Sequence, residues 1–148
     1  MASTILLCTD GSDEALNSLA AGLDLIGREQ PIVLVTVMDA PDEASLAGSG
    51  HAGPEMSMEE FDRLSAEAGT SAESAIEAAQ KELGIPNVEV RILRGDPGRA
   101  ICQLATELSA RAIVLGSRGR GGLKRAFLGS VSDYVARNAL CSVVITRN

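Results

Sequence analysis

Aromatic side chains are scarce in this chain: no tryptophan, one tyrosine and two phenylalanines in 148 residues. The core must therefore come from Ala, Val, Leu and Ile. The surface also lacks the stacking platforms on which proteins hold single-stranded nucleic acid, so no nucleic-acid partner is expected. There is a single histidine, His51, and the three cysteines, Cys8, Cys102 and Cys141, lie far apart. No CxxC or Cys/His spacing suggests zinc, and the three thiols read as reduced core residues of a cytoplasmic protein. No apolar run approaches membrane-spanning length, and the one in "MASTILLCTDGS" is too short for a signal peptide, so no membrane partner is expected.

Basic residues are scarce in one part of the chain. Residues 1–86 carry three basic and sixteen acidic side chains, a balance of −13, whereas residues 87–148 carry ten basic and four acidic, or +6. The whole chain, at −7, repels polyanions, while its C-terminal half suits a small anion. The 45% hydrophobic and 22% charged content is that of a globular protein, and the length is that of one domain, 1–148.

Short apolar runs alternate with helical patterns. "TILLCT" (Thr4–Thr9), "IVLVTVM" (Ile32–Met38) and "AIVLG" (Ala112–Gly116) read as buried strands. "VEVRIL" (Val88–Leu93) alternates polar with apolar, as a strand nearer a sheet edge does, and "SVVIT" (Ser142–Thr146) is the last strand. Ser12 and Asp13 offer caps for a helix that Gly27 stops. A long Ala/Glu-rich helix spans roughly Met58 to Leu83, and Asp96 with Pro97 opens another. "SVSDYVARNAL" (Ser130–Leu140) is a short helix. Residues 39–57, acidic and rich in Gly, Ala, Pro and Ser, read as a mobile loop, a candidate lid or partner surface. The order β-α-β-α-β-α-β-α-β predicts an α/β fold, an open parallel sheet with helices on both faces. Such sheets bind ligands at the carboxyl ends of their strands, where the winding reverses.

One loop stands apart. "GSRGRGGLKRAFLGS", Gly116 to Ser130, holds five glycines and four basic residues, Arg118, Arg120, Lys124 and Arg125. It fits neither G-x-x-x-x-G-K-[ST] nor G-x-G-x-x-G. Glycines nevertheless let backbone N–H groups close on an anion, and Gly129-Ser130 sits where the last helix begins, with unpaired N–H groups and a favourable dipole. The letters fit a phosphate cradle and also a glycine-rich surface loop with Ser130 as N-cap.

The spacing Gly116-x2-Gly119-x9-Gly129-Ser130 resembles the nucleotide-binding signature of the universal stress protein family, in its ATP-binding branch. "ILLCTDGS", "VTVMD", "GDP" and "SVVITR" match other family marks. The resemblance covers nearly the whole chain, with least support in residues 40–70. It implies a five-stranded parallel sheet of order 3-2-1-4-5, Rossmann-like, in which both strand-end loops face one crevice. It also implies an adenine-nucleotide site: Asp10 beside ribose and phosphates, the Val37 backbone on the adenine edge, Gly116 and Gly119 around ribose and phosphates, and Gly129, Ser130 and the Val131 N–H on the phosphates. The cofactor it implies is ATP, with Mg²⁺ to separate Asp10 from the phosphates. It further implies a homodimer through Ser142–Thr146 and an output through a regulatory protein partner.

From the residues alone, Asp10 fits equally a strand-end cap of the following helix, and the basic loop residues fit solvated side chains. No general base stands beside the glycine loop except Asp10, a weak one, and no cysteine has a paired base, so efficient catalysis is not expected. The alternatives are a slow ATPase or phosphotransferase and an interaction module of the family's non-nucleotide branch.

Overall fold

The computed structural model describes residues 3–47, 56–117 and 129–147. Five strands, β1 (Ile5–Cys8), β2 (Ile32–Val37), β3 (Glu89–Leu93), β4 (Ala112–Gly116) and β5 (Ser142–Thr146), form one parallel sheet of order β3-β2-β1-β4-β5. The expected order is the observed one. β3 and β5 are the edges, as the polar alternation of "VEVRIL" suggested for β3.

The side-chain period of two sorts each strand between two cores. Ile5, Leu7, Leu34, Ala112 and Val114 point to one face, where α1 (Asp13–Ile26) and α3 (Met58–Leu83) cover them. Leu6, Cys8, Val33, Val35, Ile113 and Leu115 point to the other, beneath α4 (Pro97–Glu107) and α5 (Ser130–Asn138). Burying each such Leu, Ile or Val stabilises by roughly 1.5–3 kcal/mol.

Helix ends follow their capping residues. The Ser12 hydroxyl accepts from Ala15 N, Ser57 from Glu60 N, and the Asp96 carboxylate from Arg99 N with Pro97 in the first turn. α3 ends at Gly84, whose left-handed backbone (φ +64°) closes the last turn. The stretch read as a loop after β2 contains a one-turn helix, α2 (Ala44–Ala47), begun by Asp42 Oδ1 accepting from Ala44 N at 3.2 Å. Residues 48–55, with His51, lie outside the described residues. Among the described residues no helix is long and apolar enough to cross a membrane.

Two sites generate tests. Gly98 lies under Tyr134, so that an added Cβ would stand 2.6 Å from Tyr134 Cδ1 and 2.8 Å from its Cγ. The inner ring atoms cannot swing away without moving α5. Gly98→Ala is therefore expected to cost about 1–3 kcal/mol and lower Tm by a few degrees, despite the helix propensity it gains. Denaturant titration and calorimetry check this. The cysteines test the second core: burial holds the Cys8 thiol well above its ordinary value, and Cys102 and Cys141 push it the same way. Burial also raises Cys102 and Cys141. The native protein at pH 8 is expected to leave Cys8 unlabelled by a thiol reagent, and denaturant to expose it, as mass spectrometry of labelled peptides would read.

Candidate functional site

The central strand is short, and the site follows from that. β1 ends at Cys8 opposite Val35, while β2 runs on to Val37 beside Leu93 of β3. On the other side β1 pairs with β4 through Leu7 and Val114, while β4 continues to Gly116 beside Thr146 of β5. Beyond Cys8 the sheet is thus missing its middle strand, leaving a slot about 9–10 Å wide between β2 and β4, two strand spacings. Thr9 closes the floor. Its N–H donates to Val35 O at 2.9 Å, its carbonyl accepts from Thr36 Oγ1 at 2.8 Å, and its own Oγ1 accepts from Gly11 N at 3.1 Å. Gly11, at φ +83°, then turns the chain away.

Main-chain direction alternates along β2. Met38 N–H donates towards β3, to Leu93 O at 2.7 Å, and Val35 O accepts from Thr9 on the β1 side. Val37, two residues after Val35, aims its N–H and C=O the same way, into the slot. A donor and an acceptor on one residue match the edge of a planar heterocycle carrying one of each.

A cavity of about 780 Å³ opens here, within the size of small-molecule sites. Asp10, Val37, Gly116, Gly129, Ser130 and Val131 all line it. Gly119 lies outside the described residues, as do Arg118, Arg120, Lys124 and Arg125. The structure thus brings together six positions drawn from four separate parts of the chain.

Asp10 has a local task as well. Its Oδ1 accepts from Ser12 N at 2.9 Å and from Ser12 Oγ at 2.6 Å. Ser12 Oγ in turn accepts from Ala15 N at 3.1 Å, so Ser12 is the cap and Asp10 orients it. α5 begins at Ser130, where the helix was expected to start, so the alternative of Ser130 as N-cap does not apply: Gly129 is the N-cap and makes no side-chain cap bond. The caps of α1, α3 and α4 occupy first-turn N–H groups, whereas here no cap side chain does so and the N-terminus of α5 faces the cavity.

Charge in the described wall is of one sign. Asp10, Asp39 and Glu67 are its ionisable carboxylates, and no Lys or Arg is among the described lining residues. An anion entering this cavity meets main-chain N–H groups and the dipole of α5 rather than described cations.

Sequence reading missed one wall entirely. Leu64, Glu67, Ala68, Ser71, Ala72 and Ala75 of α3 line the cavity at helical spacing. Their pattern identifies a face of a helix, but not what the face looks at. Thr36 and Ser132, buried at 4% and 2% exposure, were missed too. Thr36 stood as a hydroxyl inside an apolar run, and nothing in the sequence around Ser132 marked it.

Comparison with known proteins bears on the fold and the family. Residues 1–147 match the model of the universal stress protein family. The chain is 33% identical over 147 residues to a universal stress protein of Thermus aquaticus, covering 99% of this chain and all of that one. It is 30% identical over 150 residues to universal stress protein YxiE of Bacillus subtilis, again covering 99% and 100%. Among solved structures, universal stress protein UspA from Lactobacillus plantarum superposes with a TM-score of 0.76 at 23% identity, over 99% of this chain and 98% of that chain. More distant structures of the same fold were solved with nucleotides: one with cAMP (TM-score 0.58, 24% identity, 98% and 96% covered), one from Arabidopsis thaliana with AMP (0.58, 20%, 99% and 92%), and one from Archaeoglobus fulgidus with dAMP (0.55, 23%, 99% and 98%). With its sheet order, its strand-end cavity and this match over almost its full length, the chain belongs to the universal stress protein family.

Proposed function

We propose that the cavity binds an adenine nucleotide, and that the protein is a nucleotide-dependent regulatory member of its family. The observation that carries this is the convergence of Asp10, Val37, Gly116, Gly129, Ser130 and Val131 on one cavity at the carboxyl ends of β1, β2 and β4. The base lies in the slot against the N–H and C=O of Val37, a donor–acceptor pair suited to adenine N1 and its exocyclic amine. Asp10 is placed for the ribose, and the phosphate sits at the first turn of α5. Related structures solved with AMP, dAMP and cAMP support an adenine ligand.

ATP is the ligand proposed for this chain, with Mg²⁺ arriving on the phosphates. Among the described residues no three ligating side chains converge on a metal position. Mg²⁺ is commonly held by one or two carboxylates together with substrate phosphates. Asp10 is the carboxylate on hand, and the ion would supply charge neutralisation between it and the phosphates. AMP and dAMP, carrying less charge, need that screening less.

The proposed assembly is a two-fold dimer through β5. Ser117 N–H donates to Thr146 O at 2.9 Å, so Thr146 and Val144 turn their main-chain groups to β4. Val143 and Ile145 therefore present theirs outward, on an edge that natural sheets usually cover. Nucleotide occupancy then biases a dimer read by a regulatory partner.

Denaturing the purified protein and chromatographing the supernatant is expected to release adenine nucleotide, or calorimetry to show binding of ATP with Mg²⁺ or of AMP. Finding neither would overturn the reading in favour of an interaction module. Gly129 has an ordinary extended backbone (φ −64°, ψ 162°), so a side chain there strains nothing. Gly129→Val is expected to weaken nucleotide binding at least about tenfold with Tm little changed; undiminished binding would move the phosphate elsewhere. Val143→Pro removes an outward N–H without touching the β4 ladder. Sedimentation is expected to show a dimer for the parent chain and a monomer for this variant, with the sheet signal retained in circular dichroism.

A further inference from the structure

Ser132 is 2% exposed, although it stands in the first turn of a helix beside a cavity. A hydroxyl buried there is destabilising unless it is bonded. Its Oγ lies 3.2 Å from Ser117 O and 3.0 Å from Gly129 O, so its one proton is shared between the two carbonyls. Gly129 N donates to the same Ser117 O at 2.7 Å, and Asp133 N donates to Gly129 O at 2.9 Å. Ser117 O thus faces two donors, one for each lone pair. Ser117 N is also engaged, with Thr146 O. Ser117, the residue just after β4, is fixed on both sides, to β5 by its N–H and to the start of α5 by its carbonyl.

We propose that Ser132 is a positioning residue for the ligand's phosphate. Ser132 borders the cavity, but its hydroxyl is turned to the two carbonyls rather than to the ligand. It locks the first turn of α5 against the end of β4, so that the N–H groups of Ser130 and Val131 hold a fixed aim into the cavity. This rests on the nucleotide reading of the cavity. The main-chain bond from Gly129 to Ser117 alone leaves the turn free to pivot about one contact; the hydroxyl supplies the second point that stops the pivot. Preorganised donors lose less on ligand binding than donors that must be ordered at that moment.

The test separates phosphate from nucleoside. Ser132→Ala removes one oxygen and leaves the Gly129–Ser117 bond in place. AMP and ATP–Mg²⁺ are expected to bind roughly tenfold more weakly, one hydrogen bond's worth, while adenosine binds as before. Hydrogen exchange without ligand is expected to quicken at the amides of Gly129, Ser130 and Val131 and nowhere in β1 or β2. Ser132→Cys, near in volume and a weaker donor, is expected to fall between the two in both readouts, and covers the case in which the alanine variant does not fold. An equal loss for adenosine and AMP, or unchanged exchange at those three amides, would overturn the positioning role. A parent chain that binds neither nucleotide nor adenosine, with exchange changing as expected, would overturn the nucleotide reading and leave the lock itself standing.

Discussion

The early end of β1 is the constraint on which the site depends. A parallel sheet has no hairpin at its strand ends; each strand must hand over to a crossover. When the central strand hands over two residues before β2 does, its neighbours face each other across the space it would have filled. Thr9 fixes the point of departure. Its N–H and C=O are bonded to β2, and its hydroxyl to Gly11 N, whose positive φ then carries the chain out of the sheet plane. Val35 and Thr36 supply the bonds on the β2 side, so the floor of the cavity is built from backbone and two buried threonines. Lengthening β1 by one paired residue would fill the slot and cover the Val37 edge together.

A second consequence is that the chemistry of this cavity is carried mainly by the main chain. The slot offers the N–H and C=O of Val37, and the far end offers the first turn of α5, where Gly129 leaves the N–H groups without a side-chain cap. The side-chain charges of the described wall, Asp10, Asp39 and Glu67, are all negative. For an anionic ligand these carboxylates select against surplus charge. They favour ligands whose negative groups lie at α5 and whose neutral parts lie along β1, β2 and α3. Backbone donors suit this arrangement because they attract phosphate at short range without a long-range positive field.

That division explains what the sequence made legible. Strands and helices follow from hydrophobic period and capping chemistry, which are local: α3 runs from Met58 to Leu83, as its pattern predicted, and Asp96 and Pro97 open α4. Strand order is not local. It came from resemblance to the family, since five apolar runs say nothing of which pairs with which. Glycine spacing located one end of the cavity, lined by Gly116 and Gly129, because a missing side chain is visible in a sequence. The small face of α3 gave no such sign, since alanines at helical spacing pack equally well against a sheet. The sequence placed Ser130 at the start of α5 and left open a cap role, and it is the first helical residue. Gly129 takes the capping conformation with no side chain to capture the turn, and the serine that matters to the backbone there, Ser132, is buried one step further on.

The same local geometry sets how the cavity and the β5 edge are connected. From α5 the path runs through Gly129 N and Ser132 Oγ to Ser117 O, across the Ser117 Cα to Ser117 N and Thr146 O, and by Thr146 Oγ1 to Ser18 O in α1 at 2.6 Å. Every hydrogen bond on it ends on a main-chain carbonyl, and after β4 the path crosses a single residue, Ser117. Contiguity alone does not transmit anything: a ligand shifts an equilibrium only by as much as it prefers one state to another. Here the preference has a definite seat. A phosphate at α5 favours the orientation of the first turn in which its N–H groups converge, and that orientation is the one the Ser117 carbonyl also holds. The Ser117 N–H, on the neighbouring peptide plane that meets this one at the Ser117 Cα, fixes where β5 ends. A ligand that holds the first turn of α5 would therefore restrain the Ser117 carbonyl, one Cα away from the N–H that makes the terminal bond of β5, next to the outward-facing Ile145.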